Sequence, residues 1–222
     1  MDINKTKKFF TNKFNPESFI LNRSFYERDT ALVAKELLGK ILLVRPEKQC
    51  LKGEICAGMI VDIEAYYGLD DPASHASKGI TPRSKIMFET PGISYVYFCY
   101  GNHYIINAVT EKFGTPGAAM IRAVEPLSGI SIMSKRRKTD IVTNLTNGPG
   151  KFTKAFGINS DFNGLDLVDI KSKVIIIDAG RLNLFPEVKE SEIISKPRIG
   201  IKNGADKLLR FYIKDNNFIS KK

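Results

Sequence analysis

The chain has 222 residues, 43% apolar and 26% charged, the balance of an ordinary globular domain rather than a disordered, collagenous or coiled-coil chain. The 34 Lys and Arg outnumber the 24 Asp and Glu, giving a net charge of +10. That surplus favours polyanions, nucleic acid first and an anionic membrane surface second. No apolar run approaches the ~18 residues of a spanning helix, and MDINKTKKFF lacks the apolar centre of a secretory signal. Cys50, Cys56 and Cys99 are odd in number and form no C-x-x-C pair, which argues against a disulfide framework or a cysteine-rich zinc site and for a reduced, cytosolic protein.

Residues 1–24 are rich in Lys and Phe without a period and read as a basic arm, loosely held or docked late, ahead of one domain over 25–222. Asp29 or Thr30 is placed to cap a helix over 31–38 that Gly39 ends. A strand over 40–44 is stopped by Pro46. The run 55–66 is a second strand, whose period of two sets Ile60, Asp62, Glu64 and Tyr66 on one face and Val61, Ile63 and Ala65 on the other. Residues 68–91, rich in Gly, Pro, Asp and Ser, form a long loop with a short helical turn, and loops of that length often carry function. The clearest hairpin signal pairs 94–99 with 104–109 across Tyr100-Gly101-Asn102-His103. The run 118–124 follows as the third strand of a meander. Ser128 is placed to cap a helix ending in Lys135-Arg136-Arg137-Lys138, and Asn147-Gly148-Pro149-Gly150 precedes a helix over 151–156. Late strands are expected over 174–177 and 208–213. The whole reads as one mixed α/β domain.

Chemistry concentrates in the middle of the chain. Six of the eight tyrosines and both histidines lie between positions 66 and 104. Glu64 stands beside Tyr66 on a strand that reads as largely buried. Tyrosines in strands commonly serve as core or cross-strand pairs. Gathered with a carboxylate and two histidines in a basic protein, they are also how a protein holds an unstacked base.

The run Val61-Asp62-Ile63-Glu64-Ala65-Tyr66-Tyr67-Gly68 followed by His75, the run Tyr95-Val96-Tyr97-Phe98-Cys99-Tyr100-Gly101 followed by Asn107, and Ile121-Arg122-Ala123-Val124-Glu125-Pro126 together resemble the signatures of the alkyladenine (methylpurine) DNA glycosylases. Asn147-Gly148-Pro149-Gly150-Lys151-Phe152 and Arg210-Phe211-Tyr212 are similar to later landmarks of that family. The resemblance covers roughly 25–214. It departs where the family often carries a Trp, since Leu208-Leu209 stand there and the chain has none. It implies a single α/β domain, with an antiparallel curved sheet flanked by helices and a protruding β-hairpin that enters DNA. It implies hydrolysis of the N-glycosidic bond of damaged purines in double-stranded DNA, by a monomeric, monofunctional enzyme without cofactor or metal.

The resemblance also implies roles. Glu64 matches the base that activates water, and Arg122 matches the residue that helps hold it. Tyr66, His75 and Tyr97 match the walls of the base pocket, Asn107 the group that crowds the guanine amino group, and Tyr100 the side chain that fills the gap left by the flipped nucleotide. Arg83, Lys85, Lys151 and the run 135–138 are candidate phosphate contacts. Stacking on Tyr66, Tyr97 and His75 would favour cationic purines. His103 reads as a DNA-backbone or solvent contact. Two rivals remain at this point. One is a nucleic-acid-binding module without catalysis, and the other is a carbohydrate hydrolase using Asp62 and Glu64 as paired carboxylates.

Overall fold

The computed structural model describes residue 10 and residues 15–45, 55–99, 101–178, 180 and 187–220. A single turn of helix α1 (Arg23–Tyr26) precedes α2 (Thr30–Leu37). Asp29 caps α2 as expected, its carboxylate accepting the N–H of Leu32 at 2.9 Å. Helices α3 (Ile130–Arg137) and α4 (Pro149–Phe156) come later, and α4 opens with Pro at its first position, where a missing N–H costs nothing.

Eight strands form one antiparallel sheet: β1 (Ile41–Val44), β2 (Cys56–Tyr66), β3 (Ser94–Cys99), β4 (His103–Val109), β5 (Ala118–Ser128), β6 (Val174–Ile177), β7 (Ile193–Lys196) and β8 (Arg210–Ile213). Their order is β3-β4-β5-β2-β1-β6, with β8 also on β2 and β7 on β8. β2 is the central strand. Along one edge it pairs β5, and along the other it pairs first β1 (Cys56 to Met59) and then β8 (Asp62 to Glu64). Covered on both faces, it is buried over ten of its 11 residues.

The three larger helices lie on one face. Val33, Leu37, Met133, Phe152 and Phe156 join Ile60, Ile63, Ile121 and Val124 in the larger apolar cluster. On the other face, Phe10 and Ile219 cover Ile41, Val61, Ala123 and Ile175. The described part of the N-terminal segment is docked here too: Ile20 bridges Ile177, and the Leu21 N–H donates to the Ile176 carbonyl at 3.1 Å. No helix among the described residues is long and apolar enough to cross a membrane.

Four expectations are corrected. Ile60 does not share a face with Asp62: the β2–β5 register shifts between Ile60 and Asp62 and again before Ile63, and Ile60 joins Ile63 and Ala65 under the helices while Val61 lies in the opposite cluster. A bulge takes up one residue and resets the alternation, which keeps an isoleucine in the core and sends Asp62 and Glu64 to the other side. Ser128 does not cap a helix. It ends β5, paired with Ala57, and Gly129 begins the helix at φ 79°, a left-handed value suited to glycine. The third meander strand accordingly runs past Pro126, opposite Gly58, to Ser128. Finally, β7 had no recognisable pattern, and the last strand begins at Arg210 rather than 208.

Candidate active site

The second face of the sheet opens into a cavity of about 340 Å³. Tyr66 from β2, His75 from the long loop, Tyr97 from β3, Asn107 from β4 and Arg122 from β5 all line it. These are five residues that the sequence named, brought together from positions up to 56 apart. Ile199, Gly200 and Ile201, which follow β7, close another wall.

Glu64 lies just behind this wall, with no solvent exposure. Its Oε1 accepts the backbone N–H of Ile199 at 2.8 Å and lies 2.9 Å from Arg122 Nη1. Its Oε2 accepts the Tyr66 hydroxyl at 2.8 Å. Burial pushes the Glu64 carboxyl above the usual glutamate range, while Arg122, the Ile199 N–H and the Tyr66 hydroxyl pull against that rise. Burial and the neighbouring Glu64 raise the Tyr66 phenol, so it stays a neutral donor.

Asp62 is engaged otherwise. Arg210 grips it with two hydrogen bonds of 2.9 Å each, and Ser220 adds its backbone N–H at 3.0 Å and its hydroxyl at 2.6 Å. Both oxygens are occupied away from the cavity, which removes the basis for a two-carboxylate sugar hydrolase.

The aromatic wall is a cluster. The His75 ring meets Tyr97 edge-on at 4.7 Å, and Tyr95 lies 5.1 Å from Tyr97. His75 Nδ1 is 2.8 Å from the Tyr95 hydroxyl. Burial, then the charge of Arg83, lowers His75 from 6.5 to about 4. A two-dimensional NMR titration of His75 is therefore expected to show its midpoint near 4. The unfolded histidine takes up its proton first, so this group withdraws stability as pH falls from its ordinary range towards 4. A midpoint near the ordinary histidine value would contradict the buried, Tyr95-bonded ring.

Asn107 is buried opposite Tyr95, and its Nδ2 donates to the Tyr95 carbonyl at 2.9 Å, which fixes the amide against the cavity. The candidate phosphate contacts separate. Arg83 stands over the Tyr97 ring at 4.8 Å, at the site itself. Lys85 is exposed at the start of the turn Lys85–Phe88. Lys151 Nζ donates to Asn144 and Asn147 at 2.7 and 2.8 Å, and Arg136 turns inward to the Ala155 carbonyl at 3.0 Å. Lys135 and Lys138 are exposed. The His103 ring packs against Gly150 with Nδ1 buried, so it is not simply a solvent contact. Tyr100 lies outside the described residues.

One pair was not anticipated. Arg198 and Asp71 form a fully buried ion pair, Nη1 and Nη2 lying 2.5 and 2.7 Å from the two carboxylate oxygens. Arg198 also donates to the Ala65 carbonyl at 3.0 Å, and its guanidinium lies 4.5 Å from the centre of the Tyr66 ring. The pair ties the loop that carries His75 to the segment that presents Ile199. A lone Arg after a proline carries no local signal for this, since the partners are 127 positions apart.

Residues 24–217 match the sequence profile of the methylpurine-DNA glycosylases. The chain belongs to this family. A relative from Prosthecochloris aestuarii is 47% identical over 90% of both chains. One from Methanoculleus marisnigri is 42% identical over 91% of this chain and 99% of its own, and one from Clostridium novyi is 42% identical over 91% and 98%. All three are provisionally named 3-methyladenine DNA glycosylases. The methylpurine-DNA glycosylase match takes in every cavity residue described above. Ser220, hydrogen-bonded to Asp62, lies beyond it.

Proposed function

We propose that this methylpurine-DNA glycosylase family member repairs double-stranded DNA by releasing alkylated or deaminated purines, hydrolysing the N-glycosidic bond with an activated water to leave an abasic site. The observation that carries this reading is a buried carboxylate, Glu64, held by Arg122, Tyr66 and Ile199 directly behind an aromatic cavity. Departure of the base builds positive charge on the sugar, as in glycoside hydrolysis. Glu64 stabilises that charge and takes a proton from water, with Arg122 orienting the same water. A carboxylate rather than an amine at this place makes direct hydrolysis, without a Schiff-base step, the fitting chemistry.

A base reaches such a cavity only by leaving the stack. Tyr66, His75 and Tyr97 then hold its faces, and Asn107 crowds a guanine amino group. Two of these rings already carry an arginine, Arg198 over Tyr66 and Arg83 over Tyr97, so stacking and shape contribute more here than attraction to a cationic base. Tyr100, between β3 and β4, fills the vacated place in the duplex. The net charge of +10 supplies non-specific attraction to the backbone, with Arg83 over the Tyr97 ring and the exposed Lys85 as candidate phosphate contacts.

The test is a panel of duplexes, each holding one modified purine. Free base should appear with strand breakage only after alkali. Absence of base release from every duplex rejects the activity, and breakage without alkali rejects the direct hydrolysis.

A further inference from the structure

We propose that Ser220 is a positioning residue for the reaction, its hydroxyl fixing the plane of the Arg122 guanidinium and so the hold of Arg122 on Glu64. This rests on the role proposed for Glu64 above.

Arg122 Nη1 faces Glu64 at 2.9 Å, while its Nε donates to Ser220 Oγ at 3.2 Å. Asp62 Oδ2 lies 3.9 Å from that Nε, too far for a hydrogen bond. The Ser220 hydroxyl bridges this distance: it accepts from Arg122 and donates to Asp62 at 2.6 Å. Asp62 cannot swing to replace it, because Arg210 holds both of its oxygens. A guanidinium is a rigid fork, so holding Nε sets where both terminal nitrogens point.

The hydroxyl itself is well held. Ile219 is buried in the second apolar cluster, the Ser220 N–H donates to Asp62 at 3.0 Å, and Asn216 donates to Glu125 at 2.8 Å. Ser220→Ala keeps all of these and removes only the relay.

The consequence is electrostatic. Glu64 is faced by Arg122 from β5, by Asp62 and Tyr66 from its own strand, by Tyr97 from β3, and by Arg198 and the Ile199 N–H from the segment after β7. Of the groups that favour its ionised form, Arg122 is the strongest. A loosened Arg122 therefore lets burial raise the carboxyl further.

The test uses carbon-13 NMR of the glutamate side-chain carboxyls in the whole chain, with Glu64 assigned by its loss in Glu64→Gln. In Ser220→Ala the Glu64 midpoint should move upward, and in Ser220→Thr, which keeps a hydroxyl, it should return. Single-turnover excision should fall roughly 10- to 100-fold in the alanine variant, the range expected of a misaligned reacting group, with lesion affinity little changed and recovery in the threonine variant. A thermal melt checks that the alanine variant is folded. A Glu64 midpoint unmoved by Ser220→Ala overturns the proposal, whatever the activity. A wild-type chain that releases no base overturns the proposed activity instead, and the titration still decides the role of Ser220.

Discussion

Glu64→Gln is expected to lower single-turnover release of a damaged purine by about 10²- to 10⁴-fold, the range over which general acid–base groups contribute. Lesion binding should stay close to normal. The amide is the same size as the carboxylate and can keep most of its partners: one oxygen still accepts the Ile199 N–H, and the Tyr66 hydroxyl can turn from donor to acceptor towards the new NH₂. In the proposed mechanism, what is lost is the negative charge beside the sugar and the site that receives the proton from water. The pH dependence of the native protein adds a second check. Because burial raises the Glu64 carboxyl, kcat/KM should decline with acid at a pH above that of an ordinary glutamate, and this limb should be missing from the residual activity of the variant. A variant that retains a third or more of the rate would falsify the assignment.

Arg198→Met should cost about 3–5 kcal/mol of stability, because it leaves the Asp71 carboxylate buried with two backbone N–H groups and no cation. For a chain of this size that is roughly 6–20 °C in Tm. The sign with pH is fixed by Asp71. Burial by itself would raise its carboxyl, but the hydrogen bonds and charge of Arg198, with the backbone N–H groups of Tyr67 and Ala73, outweigh that and hold it below the usual aspartate range. A depressed pKa means stability that is present at neutral pH and lost as pH falls through the folded value. The deficit of Arg198→Met should therefore be greatest at neutral pH and shrink in acid, where Asp71 is protonated in both proteins. Adding Asp71→Asn should recover part of the loss, since a neutral amide costs less to bury. A single variant that melts with the native protein, or a double variant no better than the single, would show that the pair does not hold the two walls together. Excision should fall as well, because the same change frees the Ile199 N–H from Glu64 and removes the support behind Tyr66.

These two residues also mark what could be read locally. Glu64 and Tyr66 sit two apart on a strand, a spacing that puts both on one side, and the hydrogen bond between them follows from that spacing. The hairpin of β3 and β4, the Asp29 cap and the strands over 41–44 and 174–177 likewise arise from near neighbours. Ile60 went to the unexpected face because a bulge depends on the partner strand: alternation can be counted in β2, but the slip is set by how β2 meets β5. Ser128 has good local capping chemistry and lost to a long-range ladder with Ala57.

What the amino-acid sequence determined alone was the class of the chain, most of its strands, and five residues that line one cavity, through short-range periodicity and through motifs whose order could be matched to a family. The tertiary structure decided which charges are spent and which are left to act. Asp62 and Glu64 look equivalent along β2, yet Arg210 pairs with the first and Ser220 hydrogen-bonds it, while the second faces Arg122 behind the cavity. Asp71, Arg198 and Ser220 carry no signal at all until the chain brings them within hydrogen-bonding distance. The physical reason is range. Backbone periodicity is written in neighbours two to four residues apart, whereas burial and the pairing of buried charge depend on residues that only the finished fold places side by side.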